Sequence, residues 1–191
     1  MSVSDFEIAK KIAIFDIEST SLKADRGRML ACCFKEVNRD NMGGKIHTVS
    51  VLDPRNTYGL FSDRWVVRET VRLANTFDLL VGWNSSRFDF PFINTRATIH
   101  GIVPPERNFR RDLLCNSRGS LSLSSHRLAN VGETLLGESG KSVLKWALWE
   151  KAMQGDKASI KYIVDHCQKD VTETERIYKK FMPMLGKLRK R

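Results

Sequence analysis

The 191-residue chain has few cysteines and no long apolar run. The four cysteines (Cys32, Cys33, Cys115 and Cys167) include no Cys-x-x-Cys pair, so a disulfide framework or a thiolate metal site is a poor interpretation. No apolar segment approaches the roughly 20 residues that a membrane-spanning helix needs, and residues 1–10 lack the apolar centre of a signal peptide. We therefore expect a cytoplasmic protein with reduced thiols and no membrane partner.

Acidic residues are also scarce relative to basic ones. Lys and Arg number 32 against 22 Asp and Glu, which gives a net charge of +10 and a sequence pI of about 9.7. Such a charge does not determine a fold, but it favours polyanions, chiefly nucleic acid, as partners. The length suits one substantial core. We expect residues 1–191 to form a single domain, with residues 186–191 (GKLRKR) as a short basic tail.

Hydrophobic periodicity predicts an α/β fold, in which three strands precede an alternation of helices and strands. The first three strands are expected to form an antiparallel meander, with a turn at residues 38–44. The predicted strands are residues 11–17, 28–37, 45–52, 79–83 and 109–114, and the predicted helices are residues 65–77, 91–100, 125–136, 145–153 and 157–182.

Two carboxylates interrupt the first predicted strand. Residues 11–22 read KIAIFDIESTSL and place Asp16 and Glu18 at positions i and i+2, on the same face of the sheet. Neighbouring acids repel each other and lose hydration when they are buried, so something must compensate them. A bound cation, basic side chains or solvent at the strand end would each do so, and this segment alone does not choose among them.

Two further segments carry acids at structured positions. Asp89 follows a strand and a turn, just before a predicted helix, and by itself is typical of a helix cap. His166 and Asp170 lie four residues apart on the last predicted helix, which by itself is typical of a solvated surface pair.

The combination of these segments favours a metal site. The segments supply four carboxylates and one imidazole, and hard divalent cations such as Mg²⁺ and Mn²⁺ prefer oxygen ligands such as the carboxylates. Two such ions ~3.5–4 Å apart can activate water and stabilise the leaving oxygen in phosphodiester hydrolysis. A basic protein around an acidic cluster fits a phosphate-backbone substrate.

The three segments resemble, in order, motifs I, II and III of the DEDD-type 3′–5′ exonucleases of the RNase H-like superfamily. FDIES resembles motif I, GWNSSRFDFPFI motif II and HCQKDV motif III. Residues 111–114 (RDLL) and 126–141 (HRLANVGETLLGESGK) resemble segments of family B DNA polymerase proofreading domains. The resemblance covers roughly residues 11–183. It implies a mixed five-stranded sheet, an antiparallel meander followed by parallel strands, flanked by helices.

The resemblance also implies a ligand set for two Mg²⁺ or Mn²⁺ ions. Asp16 would bridge both ions, Glu18 and Asp170 would complete the site that activates water, and Asp89 would help to hold the second ion. The motif III residue of the family is Tyr four positions before the last Asp, or His five positions before it. Here His166 lies four positions before Asp170 and Asp165 lies five before. Whether His166 acts as general base or orients the water therefore stays open.

Nucleic-acid contacts implied by the resemblance lie after motif I and within motif II. Leu22 would act as a wedge against a base, whereas Phe88 is equally consistent with a core position. The implied contact residues are Ser19, Thr20, Ser21, Leu22, Asn84 and Phe88. A group of arginines between motifs II and III is as consistent with a backbone-binding face as with a solubilising surface: Arg107, Arg110, Arg111, Arg118 and Arg127.

The function implied is hydrolysis of phosphodiester bonds from the 3′ end of single-stranded DNA. A 3′–5′ exoribonuclease, a structure-specific endonuclease using the same metals and a nucleic-acid-binding module without catalysis remain alternatives. The intact acid set argues against the last. A replication or repair protein is a candidate partner in trans.

Overall fold

The computed structural model describes residues 5–38, 44–106, 109–137 and 144–185. The predicted basic tail and most of the predicted turn at residues 38–44 lie outside these ranges. The described residues form a sheet of five strands in the order β3-β2-β1-β4-β5. The strands are β1 (Ile12–Ser19), β2 (Met29–Glu36), β3 (Ile46–Ser50), β4 (Leu79–Gly82) and β5 (Phe109–Asp112).

Strand pairing confirms the predicted mixed sheet. β1 pairs antiparallel with β2, and β2 with β3, whereas β1 pairs parallel with β4 and β4 with β5. The carboxyl ends of β1, β4 and β5 therefore meet at one edge of the sheet. That edge receives the residues that follow β4 and the two acids at the end of β1.

The helices flank this sheet, and two of them differ from the sequence prediction. A short N-terminal helix was not predicted. The fifth strand ends at Asp112 instead of residue 114, because the Asp112 carboxylate accepts the Leu114 N–H at 3.0 Å and begins a helix there. The helices are α1 (Asp5–Ile8), α2 (Arg64–Ala74), α3 (Asp89–Ile99), α4 (Leu113–Ser120), α5 (Leu128–Leu136), α6 (Trp146–Met153), α7 (Lys157–Phe181) and a 3₁₀ turn (Met182–Met184).

Alternation along β1 decides which core each side chain enters. Phe15 belongs to the core that α2 and α3 cover, and Ile14 belongs to the core on the opposite face, with Cys167 of α7. Asp16 and Glu18 have the parity of Ile14 and therefore face the side that α7 covers. The Cys167 thiol also donates to the Asp16 carbonyl oxygen at 3.4 Å, which holds α7 against this strand.

A buried polar cluster ties the N-terminal helix to the sheet edge. Arg111 donates from Nε to Asp5 Oδ2 at 2.7 Å, and Tyr178 of α7 donates from its hydroxyl to the same oxygen at 2.8 Å. Burial is the main cause that raises the pKa of Tyr178, so its hydroxyl stays protonated and can donate. Arg111 is therefore a structural residue and does not belong to a nucleic-acid-binding face.

All four cysteines lie in the described ranges and are free thiols; Cys115 is exposed and the other three are buried. Among the described helices, none combines the length and the apolar character needed to cross a lipid bilayer.

Candidate active site

Four predicted carboxylates come together at the carboxyl end of β1. Burial first, and then the charges of Asp89, Glu18 and Asp170, raise the pKa of Asp16 well above its usual range. These acids arrive from β1, from the start of α3 and from the middle of α7. The tertiary structure thus groups side chains that are up to 154 positions apart in the chain (170 − 16).

Asp89 is held by the central strand and does not cap its own helix. The residue at the N-cap of α3 is Phe88, without a side-chain capping bond. The Asp89 carboxylate instead reaches β1, where Oδ1 accepts the Ile17 N–H at 3.1 Å. The side chain is only 2% exposed, and its burial is the main cause that raises the pKa of Asp89 to about 7. The helix-cap interpretation is therefore wrong.

His166 and Asp170 lie on the buried face of α7. The imidazole Nε2 is 3.5 Å from Asp170 Oδ2 and 3.9 Å from Glu18 Oε1. Both residues are buried, which excludes the solvated surface pair. Asp165, at the alternative motif III position, instead forms an ion pair with Lys161 at 2.9 Å on the outer face.

The donor set fits a hard divalent cation by its chemistry. In the described ranges, no three His, Cys, Asp or Glu side chains already surround one point closely enough to hold an ion. Neighbouring carboxylates repel each other, so a closer arrangement needs a positive charge among them. Burial and, after it, this repulsion raise the pKa of Asp16, and oxygen ligands from β1, α3 and α7 are those that Mg²⁺ and Mn²⁺ prefer.

The residues after motif I form an ordered connection between β1 and β2. The Ser19 hydroxyl donates to the Ser21 carbonyl oxygen at 2.8 Å, and the Thr20 hydroxyl oxygen accepts the Arg28 N–H at 3.0 Å. This connection leaves the Leu22 side chain 81% exposed. An exposed apolar side chain on a structured loop suits the predicted wedge role, which stays a prediction.

The two predicted motif II contacts differ in their surroundings. Asn84 has φ of 62°, in the left-handed region, and its N–H donates to Asp112 Oδ1 at 3.0 Å. Ser86 N–H donates to the other Asp112 oxygen at 2.9 Å, so Asp112 shapes the turn after β4. Phe88 is half-buried and packs against Phe92, with the ring centroids 5.7 Å apart. A contact of Phe88 with nucleic acid stays a prediction.

A cleft of about 630 Å³ opens beside the acids. Asp16 and Asp170 line it together with Trp83 and Asn84 after β4, and residues of α4 and of the connection to α5 complete its lining. Sequence reasoning assigned no site role to Trp83 or to residues 124–126. The sequence signal for Asp112, an Asp directly before an apolar helix start, was present but not used.

Comparison with known proteins identifies the family. Residues 13–182 match the family model described as RNase_H superfamily. The chain belongs to the RNase_H superfamily.

Two archaeal polymerases are similar to this superfamily member over part of their length. A DNA polymerase of Methanocaldococcus jannaschii is 24% identical over an alignment 218 positions long, gaps included, that covers 96% of this chain and 13% of the polymerase. The solved structure of the family B DNA polymerase from Pyrobaculum calidifontis matches with a TM-score of 0.67 and 19% identity, over 91% of this chain and 24% of that one. The chain therefore spans a minor fraction of each relative, and the structural likeness shows the RNase H-like fold.

The arginines between motifs II and III separate into two groups in this superfamily member. Arg111 is buried against Asp5, and the Arg110 guanidinium lies 3.8 Å from the centroid of the Phe90 ring. Arg118 and Arg127 are exposed and line the cleft. Arg107 lies outside the described residues.

Proposed function

We propose that this protein is a metal-dependent 3′–5′ exonuclease that removes nucleotides from the 3′ end of single-stranded DNA. The grouping of Asp16, Glu18, Asp89 and Asp170 beside an open cleft carries this proposal. Membership of the RNase_H superfamily supports a nuclease, and similarity to family B DNA polymerases supports DNA as the substrate. The 3′–5′ direction rests on the resemblance of the three motifs.

The four carboxylates would hold two divalent cations. Bound there, Mg²⁺ or Mn²⁺ would supply the Lewis acid that lowers the pKa of water and stabilises the leaving oxygen. Asp16 neighbours the other three acids, which suits it to bridge two ions. The Ile17 N–H aims the Asp89 carboxylate at β1 and so at the same centre.

His166 is suited to handle the attacking water. Its Nε2 lies 3.5 Å from Asp170 and 3.9 Å from Glu18, so a water molecule beside these carboxylates is within its reach. Imidazole has an unperturbed pKa of ~6.5, so it can accept a proton near neutral pH, whereas a tyrosine at the same position would orient the water. His166 thus combines the residue of one subfamily with the spacing of the other.

A cleavage assay on labelled single strands tests the proposal. Matched DNA and RNA strands carry a 5′ label and either a free or a blocked 3′ terminus, and are incubated with Mg²⁺, Mn²⁺ or excess EDTA. We expect DNA with a free 3′ end to shorten stepwise. When the end is blocked or EDTA is present, the strand should stay at full length. Asp165→Asn removes an acid of α7 outside the cluster and is the matched control for Asp16→Asn.

Each alternative gives a different pattern in this assay. Faster shortening of RNA than of DNA indicates an exoribonuclease, and internal cuts in the blocked strand indicate an endonuclease. Binding without cleavage under both metals indicates a nucleic-acid-binding module. Full activity in excess EDTA would refute the metal dependence.

A further inference from the structure

The cleft beside the acids also contains a basic surface. Arg118 lies on α4, and His126 and Arg127 lie in the connection that leads to α5. We call these three residues the α4–α5 wall. They line the same cavity of about 630 Å³ as Asp16 and Asp170. One cleft thus has acids that suit cations and basic side chains that suit anions.

A buried hydroxyl orients the histidine of this wall. Ser117 is 0% exposed, and its Oγ lies 2.7 Å from His126 Nδ1. A buried hydroxyl needs a hydrogen-bond partner, and because this contact uses Nδ1, Nε2 is the ring nitrogen that remains for a ligand. When the hydroxyl donates, the proton of the neutral ring lies on Nε2, which then is a donor to an anion. A solvated surface histidine would not need such a fixed contact.

The two guanidinium groups of the wall differ from the paired arginines elsewhere. Arg96 Nη2 lies 2.7 Å from Asp63 Oδ1, and Arg72 Nε lies 2.8 Å from Glu69 Oε2. Across the ranges that the structure describes, no carboxylate forms an ion pair with Arg118 or Arg127, and both side chains are exposed. Their planar N–H groups match the geometry of phosphate oxygens, which favours a phosphodiester as their ligand.

We propose that Arg118, His126 and Arg127 form a phosphate subsite that holds the backbone of the substrate strand next to the bond being cut. This inference rests on the proposed function, because it assumes that the strand end lies among the acids. Contacts to phosphate position a strand without reading its sequence. The wall would therefore set the register of the strand in the cleft, and affinity through it would be independent of base identity.

Equilibrium binding measures the subsite without hydrolysis. Fluorescence anisotropy follows a labelled single-stranded DNA in EDTA over a range of salt concentrations, with the wild type and Arg118→Ala/Arg127→Ala. The slope of log Kd against log salt should decrease by roughly 0.7 for each phosphate contact that is lost. Affinity at low salt should fall on the order of tenfold or more, as expected for lost charged hydrogen bonds.

The control removes equal charge elsewhere. Arg68→Ala/Arg72→Ala lies on α2, where both arginines contact Glu69, at 3.4 and 2.8 Å. This variant should keep the wild-type salt slope, and thermal melting should show that both variants are folded. Equal slopes for the cleft variant, the control and the wild type overturn the subsite, while stepwise cleavage in the labelled-strand assay would still support the exonuclease. A wild type that does not bind the DNA at low salt also overturns the subsite, and the labelled-strand assay with Mg²⁺ or Mn²⁺ decides the exonuclease separately.

Neutral linkages locate the contact along the strand. A methylphosphonate replaces one phosphate at a time, counted from the 3′ end. We expect the wild type to lose affinity at one or two adjacent linkages, and Arg118→Ala/Arg127→Ala to be insensitive at those linkages. An equal loss at every position would indicate general electrostatic attraction and overturn the subsite.

The histidine of the wall is tested through its partner. His126→Ala should weaken binding, and Ser117→Ala should reproduce part of that loss because the imidazole is no longer oriented. Wild-type affinity in both folded variants would remove His126 from the subsite.

Discussion

Asp63 and Asp16 are two carboxylates inside the fold with different neighbours. Basic side chains contact Asp63, whereas other acids lie near Asp16. The Asp63 carboxylate accepts hydrogen bonds from Arg96 Nε at 2.8 Å and from Arg96 Nη2 at 2.7 Å. It also accepts the Met29 N–H at 2.9 Å, and His100 Nε2 lies 2.6 Å from Asp63 Oδ1. Burial acts to raise the pKa of Asp63, but these hydrogen bonds outweigh it, so the pKa is lower than usual.

Asp16 has acids as neighbours. Burial and the charges of Asp89, Glu18 and Asp170 all act in the same direction and raise its pKa. The protein itself compensates the charge of Asp63, which links α2, α3 and the start of β2. Around Asp16 the fold instead places three further acids. Their mutual repulsion is unfavourable unless a bound ligand neutralises the negative charge. The difference distinguishes a structural carboxylate from one that is suited to bind cations.

Replacing Asp16 should have the largest effect on activity. Asp16→Asn removes the acid that neighbours the other three, so we expect cleavage to fall below detection while the fold is kept. Because the substitution also relieves repulsion, the melting temperature in EDTA should not decrease. Mg²⁺ should raise the melting temperature of the wild type and leave that of Asp16→Asn unchanged. Asp165→Asn is the control and should cleave like the wild type. If Asp16→Asn also cleaves at the wild-type rate, the proposed active site is wrong.

The two histidines beside buried aspartates should separate turnover from stability. His166→Ala should reduce turnover by roughly 10²–10⁴-fold, because it removes the group that handles the attacking water. His166→Tyr should recover part of the activity if orienting the water is sufficient. His100→Ala, in the Asp63 cluster, should lower stability and leave turnover per folded molecule unchanged. Single-turnover rates and thermal melts measure both quantities, and near-wild-type turnover in His166→Ala would make His166 a bystander.

Breaking the Asp63 cluster should mainly affect stability. Asp63→Asn leaves the nearly buried Arg96 guanidinium without its charge partner, which costs about 3–5 kcal/mol of unfolding free energy. Urea denaturation of the variant and the wild type gives this difference. If the free energy of unfolding falls by less than about 1 kcal/mol, Asp63 does not stabilise the fold as proposed.

The pH dependence of stability in EDTA should also distinguish the two kinds of carboxylate. The lowered pKa of Asp63 contributes stability that is present above ~pH 3.9 and is lost as the pH falls through the folded-state value. The pKa of Asp89, raised to about 7, acts oppositely: stability falls as the pH rises from ~3.9 to about 7, because the unfolded chain releases this proton first. Urea denaturation from pH 3 to 8 measures both effects. Asp63→Asn should reduce the loss of stability at acid pH, and Asp89→Asn should reduce the fall in stability towards pH 7. Unchanged pH profiles in both variants would contradict the opposite pKa shifts of the two carboxylates.

Much of the fold was predictable because its signals are local. Alternating and continuous apolar runs predicted all five strands, and apolar spacing together with the Pro and Gly residues that bound helices predicted α2, α3, α5, α6 and α7. The four-residue α1 was missed because it is too short to show a period, and it is held by the contact of Asp5 with Arg111. The strand to helix change at Asp112 was missed because a capping carboxylate there ends one element and starts the next.

The candidate site was predictable only in part. The motif acids and His166 were chosen from sequence, and the structure brings them together. For Arg118 and Arg127 the sequence left a backbone-binding face and a solubilising surface equally open, and only the fold places them in the cleft. Arg111 has the same sequence neighbourhood as Arg110, yet alternation along β5 and the carboxylate of Asp5 bury it.

The sequence by itself determined the succession of the five strands and of α2, α3, α5, α6 and α7 along the chain, the basic charge and the acids of the three motifs, since these depend on residue type and short-range spacing. Only the tertiary structure decided which charges are compensated. Asp63 and Arg96 are 33 positions apart, and Asp16 and Asp170 are 154 apart (170 − 16). Electrostatic free energy depends on distance and burial in the folded chain, which the order of residues does not express.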